Sequence, residues 1–171
     1  MMRLILLKLV FALGLTQAIA ADDALLRELP NLRQPQQNRI VSGAISASDI
    51  GRVRAAGIKH VISLRTAKES EGFDEAGIAT GLGMDYHAIP VEGAQSLTRE
   101  NAHRLDELLK QAGDEPTLIH CGSGNRVGAL IAVREAWIKG QSTEAAIAEG
   151  KRWGLTSLEG AVRTALKDAP K

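Results

Sequence analysis

Apolar residues occur in short runs, and the segments between the runs place apolar positions three or four residues apart. Four runs predict β-strands, at residues 39–45, 58–64, 84–91 and 117–120. The segments between and after them predict helices at residues 49–56, 68–80, 99–112, 125–139 and 144–149, with a last helix that ends near Lys167. Strands that alternate with helices are typical of an α/β domain. We therefore predict a single domain in which a central, mostly parallel sheet of about four or five strands is flanked by helices.

The first 20 residues differ from the rest of the chain. Arg3 and Lys8 give a basic start, an apolar run follows, and Ala-Ile-Ala at residues 18–20 forms a small-x-small cleavage pattern. This series is typical of a secretory signal peptide. The alternative is an uncleaved membrane anchor, but the apolar run is short for a span of about 20 residues. We expect a periplasmic or secreted protein that does not stay in the membrane after cleavage.

Two further regions follow the signal peptide. Residues 21–37 are polar and contain Pro30 and Pro35, so we predict an irregular N-terminal arm. Residues 38–171 contain the predicted strands and helices and form the predicted catalytic domain. Within it, Ser48, Thr98 and Ser142 or Thr143 predict helix N-caps.

Composition narrows the functional classes. The chain has 171 residues, of which 44% are hydrophobic and 24% charged, as expected of one globular domain. Its net charge of +1 and its aromatic content of 3% give neither a basic field nor stacking platforms, so we predict no nucleic-acid partner. The four histidines lack the spacing of metal ligands, so we predict no metal site and no cofactor.

The chain has one cysteine, Cys121, which excludes an internal disulfide. A lone thiol in an exported protein is either inert and buried, or retained for its reactivity. The residues around Cys121 favour reactivity. They read His120-Cys121-Gly122-Ser123-Gly124-Asn125-Arg126 between the strand at 117–120 and the next helix, and ligands bind at this edge of such sheets.

This loop has the composition of an anion site. Gly122 and Gly124 allow tight curvature, so successive backbone N–H groups can point inward at a helix N-terminus. Arg126 adds a planar fork of donors for an oxyanion. The same field favours the thiolate of Cys121 over the thiol. The pattern predicts a nucleophile beside an oxyanion pocket.

These residues resemble those of the cysteine-dependent phosphatases of the dual-specificity type, and most closely a bacterial branch named for a beta-lactamase-hydrolase-like phosphatase domain. The resemblance covers most of the mature chain, including residues 39–45, 57–65 and 86–91. It implies that Cys121 is the nucleophile and Arg126 the phosphate binder. It also implies that His120 braces the thiolate from beneath the loop, whose residues Gly122, Ser123, Gly124 and Asn125 contact the substrate.

Three positions depart from the pattern of that family. Four residues separate Cys121 from Arg126 where the phosphatases have five, and four is the loop length of rhodanese-type sulfurtransferases. Val127 stands where the phosphatases usually have Ser or Thr. Gly93 stands where they have a general-acid Asp, which leaves Glu92 as the candidate acid and Asp85 as a more distant one.

Three interpretations follow. The first is a phosphatase that hydrolyses a phosphomonoester of a small molecule or protein through a thiophosphate intermediate on Cys121. The second is a sulfurtransferase that carries a persulfide on Cys121 and needs no general acid. The third is a non-catalytic anion-binding domain.

Export is testable directly. Because cleavage is expected after Ala20, N-terminal sequencing of the protein recovered from the periplasm or medium should begin at Ala21. An intact Met1 on soluble cytoplasmic protein would contradict the predicted signal peptide.

Overall fold

A computed structural model describes residues 23–168 of the chain. The predicted signal peptide at residues 1–20 lies outside these residues. The five strands are β1 (Arg33–Gln36), β2 (Arg39–Ser42), β3 (His60–Ser63), β4 (Asp85–Ala88) and β5 (Thr117–His120). The helices are α1 (Asp23–Leu26), α2 (Ala47–Ala55), α3 (Glu75–Gly81), α4 (Arg99–Ala112), α5 (Asn125–Trp137), α6 (Thr143–Arg152) and α7 (Glu159–Asp168). Short 3-10 helices cover Lys68–Ser70 and Ala94–Ser96.

The strands form one sheet in the order β1-β2-β5-β3-β4. All neighbouring pairs are parallel except β1 and β2, which are antiparallel. The predicted mostly parallel sheet of four or five strands is therefore confirmed. Strand β5 lies at the centre, with His120 in register with Ser42 of β2 and Ser63 of β3. The last residues of three parallel strands thus meet at one edge of the sheet.

Alternating side chains divide the interior into two hydrophobic cores, one on each face of the sheet. In β5, Leu118 belongs to the core beneath α1, α2 and α3, and Ile119 belongs to the larger core beneath α4, α5, α6 and α7. This alternation is the two-residue period of a strand. It continues past the strand end, because Cys121 belongs to the larger core. The side chains of His120 and Cys121 therefore leave the backbone towards opposite faces of the sheet.

Helices α5 and α6 cross closely enough to require glycine. A Cβ atom on Gly128 would lie 2.0 Å from the backbone nitrogen of Leu155 and 2.5 Å from the carbonyl oxygen of Gly150. These distances are shorter than any van der Waals contact, so a side chain at residue 128 would separate the two helices. The crossing fixes the first turns of α5, which follow directly after the loop that contains Cys121.

Two regions differ from the expectations drawn from the sequence. The segment 21–37, predicted to be irregular, contains α1 and strand β1, because β1 pairs with β2 and Leu26 and Leu29 enter the smaller core. The single helix predicted at 68–80 is divided into the 3-10 helix Lys68–Ser70 and α3. Gly72, with a φ of 102°, lies in a turn between them, and Asp74 caps α3 by accepting a hydrogen bond from the Gly77 N–H.

The predicted caps at Thr98 and Ser142 are confirmed, whereas Ser46 rather than Ser48 precedes α2. Within residues 23–168, no helix is long and apolar enough to cross a membrane.

Candidate active site

The loop from Cys121 to Gly124 lies at the carboxyl edge of the sheet, between β5 and α5. Neighbouring strands hold its backbone: the Cys121 N–H approaches the Ser42 carbonyl at 3.5 Å, and the Gly122 carbonyl accepts from the Ala44 N–H at 3.1 Å. Gly124 has a φ of 86°, in the left-handed region that favours glycine, and turns the chain into α5. The sequence-predicted turn between strand and helix is therefore present.

The thiol of Cys121 is 1% exposed and lies at the base of this loop. Its Sγ accepts a hydrogen bond from the Gly124 N–H at 3.1 Å. Gly122 and Ser123 are exposed above it, whereas Gly124 is buried. The backbone of the loop therefore donates directly to the sulfur.

Arg126, in the first turn of α5, lies beside Cys121. Its Nη1 donates to the Val91 carbonyl at 2.7 Å and to the Leu64 carbonyl at 3.4 Å. Hydrogen bonds from Arg126 to the Glu69 carboxylate, together with the negative charges of Cys121 and Glu69, outweigh burial and raise the pKa of Arg126. Arg126 is thus held as a fixed cation next to the sulfur.

Glu69 contacts the candidate site through Arg126, and sequence reasoning missed it. Its carboxylate receives both Arg126 donors, Nη1 at 2.8 Å and Nη2 at 2.5 Å. It also receives the N–H of Thr66 at 3.0 Å and the Thr66 hydroxyl at 3.1 Å. The Arg126 hydrogen bonds, with those from Thr66, lower the pKa of Glu69 to about 2. The only signal in the sequence was Thr66-x-x-Glu69, a capping-box spacing hidden within a segment predicted to be one helix.

His120 also has a carboxylate partner that the sequence did not reveal. Its Nε2 lies 2.5 Å from Oε1 of Glu75, the first residue of α3. Both side chains are buried, with exposures of 0% for His120 and 3% for Glu75. Glu75 is 45 residues away in sequence, so no local spacing could have identified the pair.

Asn125 does not direct its side chain at the loop interior. Its Oδ1 accepts from the N–H groups of Thr156 at 2.8 Å and Leu158 at 3.4 Å, and its Nδ2 donates to the Ser157 hydroxyl at 2.8 Å. The side chain therefore joins the loop to the segment before α7. Asn125 can therefore contribute to anion binding through its backbone N–H but not through its side chain.

Glu92 follows the residue whose carbonyl accepts from Arg126, so it lies in the chain segment beside the loop. Its side chain is exposed, and its carboxylate accepts from Nε2 of Gln95 at 3.2 Å. Asp85 is different. It starts β4 in register with His60, at the opposite end of the strands, and its carboxylate lies 3.4 Å from Nδ1 of His60. The structure thus separates Asp85 from the loop.

Arg65 follows β3 at the same edge as the loop, but on the face of the sheet occupied by the smaller core. Its Nε is buried without a hydrogen-bond partner in the described chain, and its charge acts on Tyr86 of β4. Across residues 23–168, no group of three or more His, Cys, Asp or Glu side chains is arranged to hold a metal ion.

The arrangement combines a buried sulfur, a backbone turn that donates to it, and a cation held beside it by a carboxylate. These groups suit attack by sulfur on a tetrahedral or planar centre that carries negative oxygens. They are the kinds of group that cysteine-dependent enzymes use on oxyanion substrates.

The comparisons with known proteins identify the family. Residues 32–148 match the family described as "PTP-SAK: Swiss Army Knife protein, DSP-PTPase phosphatase domain". The chain belongs to this family, within the cysteine-dependent phosphatase superfamily, and is a phosphatase of the dual-specificity and tyrosine phosphatase kind. The predicted resemblance to that superfamily is confirmed. A search of curated proteins found no match.

Solved structures of other bacterial proteins share the fold. A DUF442 protein from Shewanella putrefaciens CN-32, provisionally assigned as a phosphatase, is 21% identical with a TM-score of 0.66, over 85% of this chain and 97% of its own. A provisionally assigned phosphatase from Neisseria meningitidis Z2491 is 22% identical with a TM-score of 0.63, over 91% and 100%. TpbA from P. aeruginosa, solved as a cysteine-to-serine variant with pTyr, is 18% identical with a TM-score of 0.61, over 88% of each chain.

The ion pair between Glu69 and Arg126 predicts a pH dependence of stability. Because the folded pKa of Glu69 is about 2 against 4.5 for the ordinary carboxyl, its contribution is complete above about pH 4.5 and is lost as the pH falls through about 2. We expect the free energy of unfolding, measured in urea at a series of pH values from 6 down to 2.5, to fall less for Glu69→Gln than for the parent. The difference between the two curves should be modest, because the side chain of Glu69 is 35% exposed and solvent screens the ion pair.

Glu71→Gln is the matched control, because Glu71 is exposed on the same segment and makes no ion pair within residues 23–168. It should follow the parent curve. Parallel curves for Glu69→Gln and the parent would show that the ion pair adds nothing to stability.

Proposed function

We propose that this phosphatase hydrolyses a phosphomonoester through a thiophosphate intermediate on Cys121. The observation that carries the proposal is the position of the Cys121 sulfur, which accepts the Gly124 N–H at 3.1 Å at the base of a loop that ends in Arg126. A sulfur so placed is a nucleophile with donors around it for the oxygens of a phosphoryl group. The membership of the phosphatase family supports the same chemistry.

The reaction proceeds in two displacements. The thiolate of Cys121 attacks phosphorus, the bond to the leaving oxygen breaks, and that oxygen takes a proton from a general acid. Water then attacks the thiophosphate, gives its proton to the same group, and displaces the thiolate, so that inorganic phosphate leaves. Arg126 and the backbone N–H groups of the loop bind the phosphoryl oxygens in both steps, and the pair with Glu69 keeps the guanidinium oriented.

Glu92 is the proposed general acid. Gly93 cannot supply a proton, and Asp85 lies at the opposite end of the strands. Glu92 adjoins Val91, whose carbonyl accepts from Arg126 at 2.7 Å, and its carboxylate is exposed, with a hydrogen bond from Nε2 of Gln95. A short movement of this segment would bring the carboxyl group over the loop.

The alternative is sulfur transfer through a persulfide on Cys121. Two observations favour it: the loop has four residues between Cys121 and Arg126, and Val127 is a buried apolar residue in place of a hydroxyl that would assist thiophosphate release. Such a reaction takes sulfane sulfur directly and uses no general acid.

The proposed substrate is a phosphorylated small molecule or protein. The structural neighbour TpbA was solved in complex with pTyr, which supports a phosphorylated ligand for this fold. The proposed location is the periplasm, or the medium after secretion. It rests on the pattern of residues 1–20, and the sequence of the mature N-terminus tests it.

The purified mature protein should hydrolyse an aryl phosphate and should not transfer sulfur from thiosulfate to cyanide. Cys121→Ser should abolish the activity while leaving the thermal unfolding midpoint close to that of the parent, because the two side chains differ only in an oxygen atom in place of the larger sulfur.

Arg126→Lys should retain the positive charge but lose the planar pair of donors, and should lower kcat/KM by about 10²-fold or more. Sulfur transfer without phosphate release would make the persulfide mechanism correct.

Glu92→Gln should lower the hydrolysis rates of two kinds of phosphomonoester to different extents. A general acid contributes about 10²–10⁴-fold when the leaving group is a poor one. The variant should therefore slow hydrolysis of an alkyl phosphate far more than that of a nitrophenyl phosphate, whose leaving group is already acidic. The control is Glu100→Gln, which removes a carboxylate from an exposed position of α4. Equal losses on both substrates, or none, would remove Glu92 from the mechanism.

A further inference from the structure

Asn125 is the first residue of α5 and closes the loop that begins at Cys121. Its Oδ1 accepts from the N–H groups of Thr156 at 2.8 Å and Leu158 at 3.4 Å, and its Nδ2 donates to the Ser157 hydroxyl at 2.8 Å. All three bonds lead out of the loop. The side chain therefore ties the end of the loop to the segment before α7, although nothing in the proposed phosphoryl transfer uses it.

The same segment also lies against the peptide unit that joins Gly124 to Asn125. A Cβ atom on Gly154 would be 2.9 Å from the Gly124 carbonyl oxygen and 3.1 Å from the carbonyl carbon. That oxygen accepts from the Gly128 N–H at 3.0 Å, because Gly124 is the N-cap residue of α5. The carbonyl is thus held from two sides, and the absence of a side chain at Gly154 permits the close approach.

The orientation of this peptide unit directs the Asn125 N–H out of α5. A trans peptide unit is planar, so its C=O and N–H point in opposite directions. Because the Gly124 carbonyl points along α5 towards Gly128, the Asn125 N–H points out of the helix N-terminus, towards the side on which the loop lies. It donates no backbone hydrogen bond within residues 23–168, whereas the Gly124 N–H already donates to the sulfur.

We propose that Asn125 is a positioning residue, whose side-chain bonds to the segment before α7 hold its own backbone N–H in place to bind a phosphoryl oxygen. The inference rests on the proposed binding of a phosphoryl group in this loop. It explains how a loop with two glycines, Gly122 and Gly124, presents a fixed donor before a substrate arrives, because glycine backbone is otherwise free to turn. The donor adjoins Arg126, so the first turn of α5 would supply both contacts.

Protection of Cys121 by inorganic phosphate tests the inference without turnover. The chain contains one cysteine, so iodoacetamide incorporated at about pH 8 reports on Cys121 alone. A phosphate ion in the loop covers the sulfur, and the phosphate concentration that halves the alkylation rate measures its affinity. Asn125→Ala removes all three side-chain bonds but keeps the backbone N–H. The half-protecting concentration should rise at least about fivefold, because the donor is no longer held in place before phosphate binds.

Two control variants separate positioning from a general loss of stability. Ser157→Ala removes the partner of Nδ2 but leaves both bonds to Oδ1, so its half-protecting concentration should stay within about twofold of the parent. Asn101→Ala removes a comparable side-chain bond in α4, from Nδ2 to the Ser96 carbonyl at 2.9 Å, and should leave phosphate affinity unchanged. A folded Asn125→Ala protein that phosphate protects as well as the parent would overturn the inference, and so would an equal loss of affinity in Asn101→Ala.

If Asn125→Ala does not fold, proton–nitrogen NMR of the parent provides the second test. The backbone N–H signal of Asn125 should shift saturably as phosphate is added, with its midpoint at the half-protecting concentration, and an unmoved signal would overturn the inference. The failure of the proposed function is separately visible. A parent whose Cys121 is not protected by phosphate overturns the phosphoryl site together with this inference, whereas equal protection of the parent and Asn125→Ala overturns the inference alone.

Discussion

The position of the central strand β5 determines where Cys121 and the candidate active site lie. It is hydrogen-bonded on both sides to parallel neighbours, so its last residue, His120, is in register with the last residues of β2 and β3. The next residue is Cys121, the proposed nucleophile. Its position is then fixed by the backbone bonds of the loop to Ser42 and Ala44, and by a helix α5 that cannot move away from α6 without opening the contact at Gly128. The rigid sheet edge and the close helix crossing together confine a short loop.

The segment from the end of β3 to the first residue of α3 supplies a carboxylate to each side of this loop. Glu69 reaches the exposed side and holds Arg126, whereas Glu75 reaches the buried side and contacts His120. One segment of the protein thus contacts both Arg126 and His120, the two basic residues on either side of Cys121 in the sequence. Gly72, with its positive φ, lies in a turn between the two carboxylates. This arrangement keeps the cation and the imidazole in place before a substrate binds, which is the preorganisation that an oxyanion site requires.

Much of the fold could be predicted from the sequence because its signals are local. The run 117–120 and the cap at Thr98 coincide with β5 and the start of α4, since apolar runs and capping side chains act within a few residues. The N-terminal strand β1 could not be predicted, because the exposed segment Arg33–Gln36 is polar and contains Pro35, and only pairing with β2 makes it a strand. Cys121 and Arg126 could also be proposed as site residues from the sequence, because they stand close together in one loop. Glu69 and Glu75 were not, because each meets its partner across more than forty residues of chain.

Trapping the covalent intermediate tests the central claim most directly. The mature protein would be mixed with an excess of an aryl phosphate, quenched in acid within the first turnover, and digested for mass spectrometry of the peptide that contains Cys121. A phosphoryl group on Cys121, absent from Cys121→Ser, is the result that this account predicts. Turnover of the phosphomonoester with Cys121 unmodified at every quench time, or a sulfur atom added to Cys121 from a sulfane donor and passed to an acceptor, would contradict it.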